Sequence, residues 1–252
     1  MAITVDLNSD MGEGFGPWRM GDDAALLDTI TSANIACGSH AGDPDVMTAT
    51  MRMAHEKGVG IGAHPGFADL LGFGRRRMSL GAEELQSLIA YQLGAAKGIG
   101  AQVGAQVRHF KLHGALSNMA SEDIALARLC YETALRVDPE IILMVLCETA
   151  QQKAVEDLGA NWVGEIFADR AYEDDATLVD RSRKGAVLHD AGMAAERILG
   201  MLREGAIISR SGKRIPAKID TICLHGDTPE AVEMAKAIRM RLEAAGVTLQ
   251  TF

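Results

Sequence analysis

The sequence predicts an α/β protein built on a parallel sheet, a distorted (β/α) TIM-like barrel, and three observations carry that expectation. Short β-branched runs alternate with longer helical patterns from one end to the other, which is the rhythm of βαβ units. The 252 residues suit a closed barrel, whose usual size is about 250. Polar motifs follow nearly every strand-like run, as if they ring one mouth. Alternation alone leaves an open doubly wound sheet as the rival. No Ser/Gly/Pro-rich linker, internal repeat or low-complexity segment divides the chain, so residues 1–252 are expected to form a single barrel domain.

The elements follow in order. Residues 3–7 read as a first strand, 22–28 as a helix and 29–35 as a second strand. Asp43-Pro44 supplies an N-cap with proline at the first helical position, and that helix runs to Lys57 before Gly58. Residues 59–63 form a third strand, and Ser79 is expected to cap a long helix through Ile89 and Leu93. A fourth strand at 107–112 precedes a helix opened by Ser121 with Glu122 and Asp123. Strands at 141–146 and 163–167 continue the series, with an apolar piece at 186–188 and a helix at 193–203. A strand at 219–224, a helix at 229–244 and a short strand at 247–249 complete it.

Composition excludes several classes. Apolar residues make up 48% of the chain, enough for a packed core. The net charge is −9, and Arg75-Arg76-Arg77 is the one dense basic run, which argues against a nucleic-acid footprint. Four cysteines lie far apart without a C-x-x-C pair and read as buried thiols in a reducing compartment. The N-terminus reaches a charge at Asp6, unlike a secretion signal, and the apolar run 141–146 is too short to span a bilayer. A soluble, cytoplasmic protein is expected.

The polar residues at the expected C-terminal strand ends are where barrel chemistry is found. His40, His64, His113 and His225 all fall there, each beside glycine or proline. Any one of them is plausible as a solvated loop histidine, but four in equivalent positions point to a common cleft. His55, His109 and His189 do not share that placement and read as helix-surface or flanking residues.

Asp6, Asn8 and Asp10 alternate along the first strand and share one face. Polar side chains there are costly in a dry core. Asn8 and Asp10 are therefore expected to line the mouth and bind metal or substrate or move protons, with loop capping as the plain alternative. Glu13 lies just beyond. Lys111 and His113 share a face of the fourth strand, suited to an anionic substrate or developing negative charge. Asp169 and Arg170 form an internal pair that Arg181 joins, or Arg170 grips a substrate carboxylate. His225 and Asp227 follow the last clear strand.

Absences narrow the chemistry further. The chain has no P-loop, no G-x-S-x-G elbow and no H-E-x-x-H, and Gly58, Gly60 and Gly62 sit wrongly for a dinucleotide turn. An acid/base mechanism, with or without a metal, remains.

Six ordered blocks, DLNSDMGEGFG, SANIACGSHAGDP, GAHPGFADLLGFGRRRM, FKLHGALSN, FADRAYEDDATLVDR and ICLHGD, resemble the LamB/YcsF family from Val5 to Asp227. That family includes one of the subunits of prokaryotic 5-oxoprolinase, the one designated A. The chain departs from the expected pattern at Ser39 and Ser117 (a bulky residue), Leu112 (proline) and Ala176 (glycine). None of these removes a polar candidate, though Ala176 bears on the loop before Arg181.

The resemblance implies a distorted barrel similar to glycoside hydrolase/deacetylase folds. It also implies ring opening of 5-oxo-L-proline to L-glutamate driven by ATP with Mg²⁺, together with partner B and C subunits. Because this chain has no recognisable nucleotide loop, the partners are expected to phosphorylate the lactam while the barrel performs the hydrolysis. Asp10 or Glu13 would then activate water, with His40 and His64 as acid/base groups or, with Asp10, metal ligands. Lys111 and His113 would stabilise the oxyanion or phosphate, and Arg170 would hold the carboxylate. Two other readings stay open: a metal-dependent deacetylase or amidohydrolase acting alone, and a non-catalytic substrate-binding component.

Overall fold

The structure, a computed structural model, describes residues 3–224 and 229–252, so His225 and Asp227 lie outside the described residues. The chain opens with β1 (Thr4–Met11), α1 (Asp23–Leu26), β2 (Ser32–Ala36), α2 (Pro44–Glu56), β3 (Gly60–His64) and α3 (Ala82–Gln102). β4 (Val107–Lys111), α4 (Gly114–Glu122), α5 (Ile124–Val137), β5 (Ile142–Leu146), α6 (Ala150–Asp157) and β6 (Trp162–Phe167) follow. The last part comprises α7 (Ala191–Glu204), β7 (Ala206–Ile208), β8 (Arg214–Pro216), β9 (Thr221–Cys223), α8 (Pro229–Ala244) and β10 (Thr248–Leu249).

Seven strands pair in parallel in the order β1-β2-β3-β4-β5-β6-β9. β9 pairs back onto β1, with Leu7 opposite Ile222, and that contact closes the ring. The barrel reading therefore holds over the open sheet. β10 adds to the beginning of β1, Thr4 opposite Thr248, beside the ring. The helices pack outside by their apolar stripes. In α2, Met47, Met51 and Ala54 are buried on one face, and Asp43 caps the helix by accepting from Asp45 N at 2.8 Å and Val46 N at 3.1 Å. No helix among the described residues is long and apolar enough to cross a membrane.

Several local expectations are corrected. Gly81, not Ser79, is the N-cap of α3, and the Glu84 carboxylate accepts from Gly81 N at 3.4 Å. α4, a helix of nine residues, was unexpected; it starts directly after His113 and ends where Asp123 caps α5. The piece at 186–188 makes only an isolated bridge, Val187 to Arg170. The antiparallel pair β7–β8 stands outside the ring, where the βαβ rhythm gave no signal for it.

Part of the lower barrel interior is occupied by a polar network. The Asp6 carboxylate accepts from Thr31 Oγ1 at 2.5 Å, from Ser32 Oγ at 2.7 Å and from the Thr221 hydroxyl. Asn8 donates to Thr221 Oγ1 at 2.7 Å, Asn34 donates to Asn8 Oδ1 at 2.7 Å, and His109 Nε2 lies 2.7 Å from Asn34 Oδ1. Buried polar groups are tolerated when paired in this way.

His109 is thus an interior residue, 1% exposed, and not the flanking one expected. It shares the inward face of β4 with Lys111, two residues on. Gly62 makes room for it, because a Cβ there would lie 2.1 Å from the His109 ring. Asn8 is corrected too: it is fully buried within this network and supports the mouth without lining it.

Candidate active site

The strand ends converge on one cluster at the top of the barrel. β1 contributes Asp10 with Glu13 just beyond, the turn after β2 contributes His40, β3 ends in His64, and β4 ends in Lys111 with His113 capping α4. The six sequence-derived catalytic candidates are therefore brought together.

Lys111 Nζ lies 2.9 Å from Asp10 Oδ1, 2.6 Å from Glu165 Oε1, 3.3 Å from Asn8 Oδ1 and 3.2 Å from Cys223 Sγ. Burial disfavours the ammonium, but Asp10 and Glu165 outweigh it and hold the lysine well above its ordinary pKa. Lys111 therefore stays charged. Burial in turn raises the Glu165 carboxyl against the opposing pull of Lys111, and it raises the Cys223 thiol so far that the sulfur stays protonated. Glu165 was missed in the sequence. Its neighbours Gly164 and Ile166 read as strand core, and only its parity with Phe167 and Val163 carried a hint of an inward face.

The histidines are locked by backbone carbonyls. His64 Nδ1 lies 2.9 Å from Lys111 O, and His113 Nε2 lies 2.8 Å from Phe73 O. A carbonyl only accepts, so hydrogen-bond accounting assigns the protons to those two nitrogens. The remaining ring atoms, His64 Nε2 and His113 Nδ1, face each other at 3.0 Å, and Asp10 Oδ2 is 3.2 Å from His64 Nε2.

His40 stacks on His113 with ring centroids 3.6 Å apart. Burial, then the neighbouring imidazoles, pushes His40 well below its ordinary pKa. Burial, then His64, pulls His113 down to about 3. Both rings are neutral at physiological pH.

Two backbone features fit this packing. Phe73 adopts φ 54°, a left-handed conformation disfavoured by about 1–2 kcal/mol in an L-residue. Its carbonyl meets His113 Nε2, and its ring packs edge-on against His40 and His113. Gly74 follows with φ +62°, and a Cβ there would lie 2.8 Å from both the His113 ring and His40 Cβ. Gln92 of α3 steadies the neighbouring turn, accepting from Gly66 N at 3.0 Å and donating to Gly66 O at 2.9 Å.

Asp10, His64, Lys111 and His113 open onto a cleft of about 560 Å³ whose wall includes Arg75, Arg77, Arg170 and Arg181. Arg170 and Arg181, two of the residues expected to bind substrate, thus line this cleft. Arg170 Nη2 donates to Val179 O at 2.7 Å, while its buried Nε has no hydrogen-bond partner among the described residues. Burial, then Arg181, lowers Arg170 to about 10. Asp169 is buried beside Arg170 and outside the cleft lining.

Arg75 and Arg77 were read only as part of a short basic run and not as site residues, although they stand in the longest of the family-like blocks. Their neighbour Arg76 instead grips Asp69, with Nε 3.0 Å from Oδ2. Five cationic side chains, the four arginines and Lys111, outnumber the three acidic ones (Asp10, Glu122 and Asp180) around this cleft, in a chain of net charge −9, which favours an anionic ligand.

The LamB/YcsF family matches residues 5–252. A Ruegeria pomeroyi protein, named as the A component of 5-oxoprolinase, is 62% identical over 248 residues, covering 98% of each chain. The crystal structure of a lactam utilization protein from Thermus thermophilus superposes with a TM-score of 0.93 at 39% identity, covering 99% of this chain and all of that one. A putative cellobiose-phosphate cleavage protein from Enterococcus faecalis reaches a TM-score of 0.60 at 12% identity over the full chain and 98% of its own, a likeness of fold alone.

Proposed function

The chain belongs to the LamB/YcsF family, and on that premise we propose that it opens the lactam ring of 5-oxo-L-proline to L-glutamate as the A component of an ATP-dependent 5-oxoprolinase. One observation carries the reading from the structure. Asp10 is held between the Lys111 ammonium and the His64 ring at the floor of an arginine-lined cleft. That arrangement puts a base beside fixed positive charge, which is what hydrolysis of an anionic, activated amide needs.

A five-membered lactam is a poor electrophile, and its ring re-forms readily, so opening it benefits from ATP. Phosphorylation of the lactam oxygen by partner B and C subunits, with ATP and Mg²⁺, makes the ring carbon susceptible to water. In the barrel, Asp10 or Glu13 takes the proton as water adds to that carbon. The ring C–N bond then breaks and the nitrogen takes up a proton. A second water releases the phosphate. Lys111 offsets the charge that develops on oxygen, and Arg170 holds the substrate carboxylate, with Arg75, Arg77 and Arg181 facing the phosphoryl group.

The test is glutamate release from 5-oxoproline with ATP and Mg²⁺, first with this chain alone and then with the B and C partners. Activity confined to the mixture supports the division of labour. Activity from the chain alone overturns it by requiring a nucleotide site in this barrel. A folded chain that stays inactive beside competent partners overturns the reading altogether.

A further inference from the structure

We propose that Asp10, Glu13, His64 and His113 form a binding site for one divalent transition-metal ion. The proposal rests on hydrogen-bond geometry and does not depend on the lactam reading.

His64 and His113 each spend their ring N–H on a backbone carbonyl, Lys111 O at 2.9 Å and Phe73 O at 2.8 Å. Their lone pairs are thereby aimed at one another across 3.0 Å, where neither ring has a second N–H to offer once the first is spent on a carbonyl. Asp10 Oδ2 reaches the same point at 3.2 Å from His64 Nε2, and Glu13 Oε1 lies 3.9 Å from His113 Nδ1. Acceptor atoms gathered in this way suit a cation between them.

The four candidate donor atoms lie within 4.8 Å of one another. Metal–ligand bonds of about 2.0–2.2 Å place adjacent ligand atoms about 3–3.6 Å apart, a spacing the His64–His113 and Asp10–His64 pairs already have, whereas Glu13 at 3.9 Å from His113 Nδ1 has to close in. Carbonyls that fix the tautomer of a ligating histidine are the outer support such sites use.

A second observation points to the same place. His40 is 1% exposed, and neither of its ring nitrogens has a hydrogen-bond partner among the described residues. Its ring stacks on His113, and its Nε2 faces Glu13 Oε1 at 3.9 Å. His40 is therefore a reserve donor behind Glu13.

Two imidazoles with two carboxylates suit Zn²⁺, Mn²⁺, Fe²⁺ or Co²⁺ better than Mg²⁺, which prefers an all-oxygen shell. When bound, such an ion supplies Lewis acidity beside Lys111.

The experiment uses untagged full-length protein stripped with chelator, then equilibrated with Zn²⁺, Mn²⁺ or Co²⁺ and analysed for metal content and for Co²⁺ visible absorption. Uptake of about one ion per chain is expected, together with a rise in melting temperature from binding to the folded state alone. Glu13→Gln is expected to weaken binding at least about 10-fold and His64→Ala at least about 100-fold, with circular dichroism confirming that each variant is folded. A folded, stripped wild type that takes up none of the three ions overturns the site. Uptake that is undiminished in a folded Glu13→Gln also overturns it, since the ions then sit elsewhere. Loss of glutamate release with uptake intact would count against the proposed activity and leave the metal site standing.

Discussion

The lower barrel and its mouth both bury polar side chains on the same inward faces, yet only the lower cluster consists of complementary partners. Below, Asp6 receives three hydroxyls, and the chain from Thr221 through Asn8 and Asn34 to His109 matches donors with acceptors. Above, lone pairs meet lone pairs at His64 and His113, and His40 is left without hydrogen-bond partners among the described residues. A network of matched partners holds a shape, whereas a mismatched one is poised to take up a proton, an ion or a substrate. Lys111 stands at the junction, bonded downward to Asn8 and sideways to Asp10 and Glu165.

The contrast breaks most sharply at Asp10. Assayed with the proposed partner components, Asp10→Asn should lower glutamate release by about 10³-fold or more, equivalent to about 4 kcal/mol of barrel-supplied stabilisation, with the native fold retained by circular dichroism. Near-wild-type turnover in that variant would remove Asp10 from the mechanism. Lys111→Met strikes both clusters, because it leaves the Asp10 and Glu165 carboxylates without their buried cation. Urea unfolding is expected to show a loss of about 3–5 kcal/mol, and a loss below about 1 kcal/mol would mean the pair is not buried as described.

Smaller effects sharpen the lower half. Gly62→Ala drives a methyl into the His109 ring and should cost about 1–3 kcal/mol, while activity per folded molecule stays near wild type. A large loss of turnover there would mean the lower network does more than hold shape.

His109 also makes stability depend on pH. Burial, then Lys111, holds it down to about 3, against an ordinary 6.5 that it regains on unfolding. Its contribution is full above pH 6.5 and is lost as pH falls from 6.5 toward 3, because the unfolded chain binds the proton first. Within that window the slope is about 1.4 kcal/mol per pH unit. His109→Gln should remove that increment from unfolding free energies measured across the window; an unchanged slope would place the titration elsewhere.

The smallest expected effect is at Ala176, which has φ 66° where the family pattern leads one to expect glycine. Ala176→Gly should raise stability by about 0.5–1 kcal/mol through relief of that strain, read from the denaturation midpoint. A fall would show that the buried methyl matters more than the backbone.

The alternation of strands and helices was legible because period and capping are local properties, as at Asp43-Pro44 and over α8. The histidine cleft was legible through its topological position, and His40, His64 and His113 do meet. Glu165 and His109 were not legible as site and interior residues. Each sits in a strand whose flanking residues look like core, and its inward direction depends on where the strand begins, which a single residue of register reverses. Asn8 was assigned to the mouth because strand parity gives the face and not the depth along the barrel axis.

By itself the sequence determined the fold class, the family and most of the polar strand ends, since these follow from periodicity, turn chemistry and ordered blocks along one chain. Only the tertiary structure decided that the ring closes on β9. It also decided that Lys111 lies between carboxylates from β1 and β6, and that two carbonyls turn the lone pairs of His64 and His113 toward one point. Those outcomes depend on distances between segments remote in sequence, and such distances are fixed only when strands pair in register around a common axis.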